Sequence, residues 1–315
     1  MKAGQKINMK YLIIGAGGTG GVTGYYMKKA GKDVTLIARG EHLKKIQKQG
    51  LTLEKMWDKT EENISIPATD MEHYAEHPDV IFVCVKGYSL QETIPFIKRI
   101  ARKNTIVIPV LNIYGTMQKE LPDLLVTDGC IYVSANIKEP GKLLQHGQIL
   151  HIVFGVRDKA EFRPELKEIQ KALCDSHIDG PLSENIRREA LEKFSYVSPI
   201  GAAGLYYHAT AADFQKEGEA RELFKTMIKE IAALAEAMGV PFQKDMAEVN
   251  LKILSNMAED LSGKADIFCN MEVEEILPRE DGLYELAASG TERFLCTYLI
   301  VAPGRSGAEW FSSEC

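Results

Sequence analysis

Apolar positions in the first part of the chain fall in short runs separated by amphipathic stretches. That alternation predicts strands and helices in turn. Tyr11-Leu12-Ile13-Ile14 is a run of the length of a buried parallel strand. It leads into Gly15-Ala16-Gly17-Gly18-Thr19-Gly20, and a helical stretch through Val22, Tyr26 and Met27 then stops at Gly31. Val34-Thr35-Leu36-Ile37-Ala38 reads as a second strand, which completes a βαβ unit. Residues 41–49 read as a polar helix ending at Gly50, and 51–69 as short strands or an insertion. Residues 79–85 form a third strand, 90–101 a helix and 105–111 a fourth strand. Strands at 126–135 and 149–156 precede a helix over 161–173, with Phe162, Leu166, Ile169 and Leu173 on one face.

Near Asp179-Gly180-Pro181-Leu182 the pattern changes, and the Gly-Pro pair marks a turn. A domain boundary placed there gives segments 1–181 and 182–315. Helices are predicted over 186–196, 220–238 and 248–261. In the second of these Leu223, Met227, Ile231, Leu234 and Met238 recur at helical spacing, with Gly239 as C-cap. Residues 291–301 read as the last helix despite their threonine, tyrosine and valine. The expected fold is an N-terminal Rossmann-type α/β domain followed by an all-α domain.

Composition adds exclusions. The chain has 315 residues, 45% hydrophobic and 26% charged, and a formal net charge of -6. A mildly acidic chain exerts no general pull on phosphate backbones, so nucleic acid is not the expected partner. No apolar run reaches the ~20 residues of a membrane helix, so no membrane partner is expected. The cysteines 84, 130, 174, 269, 296 and 315 include no CxxC pair. A reduced, cytoplasmic protein is the expectation. The seven histidines show no metal spacing with a third ligand, and no metal is expected.

Candidate chemistry begins at the glycine turn. Gly15, Gly17 and Gly20 fit G-x-G-x-x-G between a strand and a helix. The first glycine permits the turn, the second admits a pyrophosphate, and the third lets helix and strand pack closely. With Gly18 and Thr19 they place free N–H groups at a helix N-terminus. An NAD site usually carries an acidic residue at the end of the second strand. Here that place holds Arg39-Gly40, and a guanidinium fits the 2′-phosphate of NADP. FAD shares the loop, but no separate feature asks for it. Lys86 and Asn112 follow the third and fourth strands, at the rim where ligands bind in such sheets. Each can contact ribose or substrate, though a solvated lysine and a helix-capping asparagine are the plain alternatives. Lys193 shares a helix side with Ala190, Phe194 and Val197. Beside a redox cofactor, such an ammonium can protonate a carbonyl oxygen as hydride arrives.

These residues lie on a pattern that resembles the ketopantoate reductase (2-dehydropantoate 2-reductase) family. The resemblance rests on Ile14 through Gly20, Val34 through Gly40, Asp79 through Tyr88, and Ala190-Leu191-Glu192-Lys193. It implies an NADP-binding Rossmann domain, a helical domain, and reduction of ketopantoate or a similar small 2-oxo acid, as in pantothenate biosynthesis. It also implies that Lys193 is the general acid and that Asn112 helps bind cofactor and substrate. Ser255, Asn256 and Asp266 would hold the far end of the substrate; a homodimer is left open. The chain departs from the family at several places. The Asn-Gly after the fourth strand is Asn112-Ile113. Val197 and Gly201 stand where the family often has asparagines, and Asp266 is the nearest carboxylate to a missing motif glutamate. A different small carbonyl substrate, or a non-catalytic NADP(H)-binding sensor, is the alternative reading.

Overall fold

The computed structural model describes residues 9–112, 115, 117–261, 273–278, 284–288 and 293–296. A six-stranded parallel sheet forms from β1 (Lys10–Ile14), β2 (Asp33–Ile37), β5 (Ala68–Thr69), β6 (Val80–Val83), β7 (Ile106–Pro109) and β8 (Leu125–Val126). Its order is β5-β2-β1-β6-β7-β8, the 3-2-1-4-5-6 order of a doubly wound fold. The order reverses at β1, whose neighbours are β2 and β6, and a crevice opens at such a switch point. Successive residues of β1 face opposite sides. Ile13 joins Leu36, Phe82 and Ile108 on one face. Leu12 and Ile14 join Ile81, Val83 and Val107 on the other, under Leu90, Ile94 and Ile97 of α3 (Leu90–Ile100).

The insertion expected over 51–69 contributes β3 (Leu51–Lys55) and β4 (Thr60–Ile64) to a second sheet. There β3 runs parallel to β10 (Lys142–Gly155), which pairs antiparallel with β9 (Asp128–Glu139). This sheet covers α1 (Gly18–Lys29), whose other side packs on the parallel sheet. The two sheets are joined directly where a Cβ on Gly129 would lie 2.7 Å from the Pro109 carbonyl oxygen. α2 (Gly40–Gln49) ends at Gly50, whose φ of +82° is a conformation glycine adopts at little cost.

Helix α4 (Glu165–Asp175) begins later than the expected residue 161, after Pro164. Leu166, Ile169 and Leu173 are buried as the periodicity implied, whereas Phe162 precedes the helix and is exposed. The last three helices are α5 (Ile186–Tyr207), α6 (Glu219–Ala237) and α7 (Met246–Leu261). The buried stripe of α6 is Phe224, Ile228, Ile231 and Ala235, while Leu234 and Met238 are exposed. Only Ile231 of the expected stripe is buried; the phenylalanine takes the helix core against Phe214, with ring centroids 5.1 Å apart.

The expected helix over 291–301 is corrected. Arg293–Cys296 is a strand, β13, in a three-stranded antiparallel sheet with β11 (Val273–Pro278) and β12 (Tyr284–Ala288). Glu285 pairs with Leu295 and Leu286 with Phe294, so hairpin pairing of a β-prone segment overrides its apparent helical spacing. The chain divides into two compact units, Met1–Phe194 with Ala235–Phe242, and Ser195–Leu234 with Gln243–Cys315. Within the second unit, Asn250 Nδ2 on α7 donates to the Ser195 carbonyl oxygen on α5 at 3.0 Å. Among the described residues, no helix is long and apolar enough to cross a membrane.

Candidate functional site

The glycine turn leaves β1 at the switch point. Gly15 has φ +100°, and its N–H donates to the Ile37 carbonyl oxygen at 3.0 Å, tying the ends of β1 and β2 together. Gly17 caps α1, and a Cβ there would meet nothing within 4 Å. Gly20 is tightly enclosed: a Cβ would lie 2.1 Å from the Gly15 carbonyl oxygen and 2.8 Å from Cys84 Cβ. The three glycines thus meet three different demands, a left-handed turn, an open approach and a close helix–strand contact. Gly18 meets a fourth that sequence reasoning missed, since its Cβ would fall 2.1 Å from the Ala135 carbonyl oxygen on β9. Thr19 is half-buried, and its carbonyl oxygen accepts from Thr23 Oγ1. No side chain caps α1 and no acidic residue lies in its first turn. Its N-terminus therefore keeps its capacity for an anion.

Around this turn stand the other rim residues. Arg39 is exposed at the N-cap of α2, and its side chain makes no ion pair or hydrogen bond with the described residues. Lys86, three residues past β6, is likewise exposed and unpaired among the described residues. Asn112 is exposed three residues past β7. Beyond it, Gly115 and Gln118 are held by Asp128, a buried carboxylate that accepts from the Gly115 N–H and, at 3.0 Å, from Gln118 Nε2, and that pairs with Arg157 Nε. An aspartate at the mouth of an apolar strand was the one sequence sign of this clamp.

Lys193 packs with the first unit. Ile186 and Ala190 of α5 lie on Cys130 and Val153 of the β9–β10 pair. One turn on, Lys193 is 7% exposed and its Nζ donates to the Ile131 carbonyl oxygen at 2.6 Å. The Nζ also lies 5.1 Å from the centroid of the Tyr132 ring. Burial pushes its pKa below the ordinary lysine value, against a smaller opposing influence of Cys130. Phe194, expected on the same side, is exposed. Ser255 is half-buried on α7, Asn256 follows it there, and the side chain of Asn256 and the whole of Asp266 lie outside the described residues.

β9 connects the two candidate regions. Ala135 lies against Gly18 and Ile131 against Lys193. Four residues of strand separate them, about 13 Å. Among the described residues, no group of three or more His, Cys, Asp or Glu could hold a metal ion.

The order of the parallel sheet and the glycine turn define a doubly wound α/β protein with a helical continuation. The family described as Ketopantoate reductase PanE/ApbA matches residues 11–159, and its C-terminal part matches residues 185–274. The chain belongs to this family of oxidoreductases. It is 27% identical over 259 residues to a 2-dehydropantoate 2-reductase of Pyrococcus horikoshii, covering 80% of this chain and 82% of that protein. A solved 2-dehydropantoate 2-reductase from Porphyromonas gingivalis superposes with a TM-score of 0.70 at 23% identity, over 81% of this chain and 91% of the other. D-mandelate dehydrogenase, solved with NADH and anilino(oxo)acetate, superposes with a TM-score of 0.69 at 19% identity, over 78% and 80%.

Proposed function

We propose that the protein is a cytoplasmic, NADPH-dependent reductase of a small 2-oxo acid, ketopantoate or a close relative, acting in pantothenate biosynthesis. The observation that carries the reading is the buried Lys193 of α5, held by the same strand, β9, that backs the glycine turn. The residues fit a dinucleotide: Gly17 is open, α1 is uncapped, and Arg39 is an unpaired cation at the end of β2. Gly15, Gly17, Gly18, Thr19 and Gly20 would hold the pyrophosphate, Arg39 the 2′-phosphate, and Lys86 and Asn112 the ribose. When bound, the nicotinamide supplies the hydride.

Lys193 supplies the proton. An ammonium has three donors, and one is spent on Ile131, which fixes the amine and leaves the others for a substrate oxygen. Charge develops on that oxygen as hydride reaches the carbonyl carbon, and a positioned ammonium stabilises it and then gives up its proton. Burial eases that loss, because a desolvated lysine holds its proton less tightly. Asn112 would orient the substrate, and Ser255, Asn256 and Asp266 would hold its far end. The domain boundary at residues 181 and 182 is part of the same proposal.

A second reading is favoured by Val197. It lies one turn past Lys193 on the same face of α5, where the family often has an asparagine. An apolar side chain there suits a 2-oxo acid without a terminal hydroxyl. NADPH consumption at 340 nm with a panel of 2-oxo acids tests both readings. Steady turnover of at least one acid is expected, and binding of NADPH without turnover of any would make the protein a sensor.

A further inference from the structure

His42, in the first turn of α2, bonds to two segments that are remote in sequence. Its Nε2 lies 2.9 Å from the Ala16 carbonyl oxygen, in the middle of the glycine turn. Its Nδ1 accepts the Gly141 backbone N–H at 2.9 Å, from the turn between β9 and β10. An N–H can only donate, so Nδ1 is the acceptor nitrogen and the proton of the neutral ring sits on Nε2. One tautomer therefore satisfies both partners. The ring is half-buried, and burial holds its pKa below the ordinary histidine value, which favours this neutral form.

The consequence lies on the far side of a peptide bond. In a planar trans peptide the C=O of one residue and the N–H of the next point in opposite directions. Ala16 C=O and Gly17 N–H belong to the same peptide. Anchoring the oxygen on His42 aims the Gly17 N–H the other way, and Gly17 is the glycine with open space beside it. Arg39 is the N-cap of α2, so the same bond ties the residue proposed for the 2′-phosphate to the turn proposed for the pyrophosphate.

We propose that His42 is a positioning residue for cofactor binding: it fixes the Ala16–Gly17 peptide so that the Gly17 N–H faces the dinucleotide pyrophosphate. The inference rests on the dinucleotide reading above and adds to it a residue that does not touch the cofactor.

The bond to Ala16 and the bond to Gly141 can be separated chemically. A glutamine amide reaches about as far as Nε2 and can donate to Ala16, whereas an asparagine amide reaches about as far as Nδ1 and keeps only Gly141. Leucine keeps neither. Titration of NADH and NADPH into wild type, His42→Gln, His42→Asn and His42→Leu is the experiment, with kcat measured at saturating cofactor. His42→Leu and His42→Asn should weaken both cofactors by the same factor, about 5- to 10-fold, the worth of one hydrogen bond. His42→Gln should stay within about twofold of wild type, and kcat should change little throughout. A purely structural role would lower the melting temperature of the Leu and Asn variants and leave the affinities of the folded proteins alone. Unchanged affinity in folded His42→Leu, equal rescue by Asn and Gln, or a loss confined to NADPH would each overturn the inference. If His42→Leu fails to fold, the Gln–Asn comparison decides. Wild type that binds neither cofactor would instead overturn the dinucleotide reading, and this inference with it.

Discussion

Lys193 Nζ donates to the Ile131 carbonyl oxygen at 2.6 Å, so the candidate acid of α5 is held by a strand 62 residues earlier in the chain. The bond fixes an otherwise flexible side chain that is itself almost closed to water. Lys193→Ala should lower kcat by ~10²–10⁴, in the range of general acid–base catalysis. Cofactor affinity should hardly change, and kcat and kcat/KM should fall together, because the lost interaction belongs to the transition state. Single-turnover NADPH oxidation measures this free of product release. The active form is protonated, and burial lowers the pKa. Activity should therefore be full at lower pH and decline as pH rises through a value below the ordinary ~10.4. That alkaline limb should vanish in the variant. A folded variant that keeps more than a third of the rate, with its limb intact, would remove Lys193 from the mechanism and leave Lys86 as the next candidate.

Arg39 should decide between the two nicotinamide cofactors. Its side chain is exposed and unpaired among the described residues, and only NADPH brings a phosphate to it. NADPH is expected to bind at least ~10-fold more tightly than NADH, about 1.4 kcal/mol. Arg39→Ala should erase most of this preference and leave NADH binding as it was. Calorimetric titration of both cofactors against both proteins reads the outcome, and equal wild-type affinities would sink the NADP assignment.

The glycines of the turn should fail in different ways. A methyl at position 20 meets the Gly15 carbonyl oxygen at 2.1 Å, so Gly20→Ala should cost about 1–3 kcal/mol of stability through overpacking. A methyl at position 17 meets nothing, and its φ of −76° suits alanine, so Gly17→Ala should fold like wild type. It should nevertheless lose about tenfold or more in cofactor affinity, because the methyl stands where the pyrophosphate approaches. Urea unfolding and cofactor titration on both variants separate the two effects. Gly17→Ala with wild-type affinity would place the pyrophosphate elsewhere.

Substrate choice should reflect Val197. A site that pairs a substrate hydroxyl rejects the analogue lacking it, and a site without the partner does not. Ketopantoate, if reduced, should show little advantage over its deoxy analogue without the terminal hydroxyl. Competing kcat/KM measurements decide. A preference above ~10³-fold would mean that another polar residue, Asn256 or Asp266 among them, has taken over the role.

What the sequence determined by itself is local. Gly15, Gly17 and Gly20 carry their demands within six residues, so strand, turn and helix were legible without any partner. The alternation of apolar runs likewise specified the parallel sheet, because each buried strand must be apolar on both faces. Helical spacing announced α6 but not its orientation: Ile231 is buried, while Leu234 and Met238 face outward because Phe214 draws Phe224 inward. Arg293–Cys296 pairs with β12 although its spacing also suits a helix, since a segment that short takes the form its neighbour can hydrogen-bond. The site divides along the same line. Arg39 could be read from its place after β2, but the burial of Lys193 depends on Ile131, and the bonds of His42 depend on Ala16 and Gly141. Those partners are backbone groups of β9, of the turn between β9 and β10, and of the glycine turn after β1, brought close only by the fold. A backbone carbonyl or N–H has the same chemistry in every residue that bears it, so no side-chain pattern could have announced them; only the folded chain placed them there.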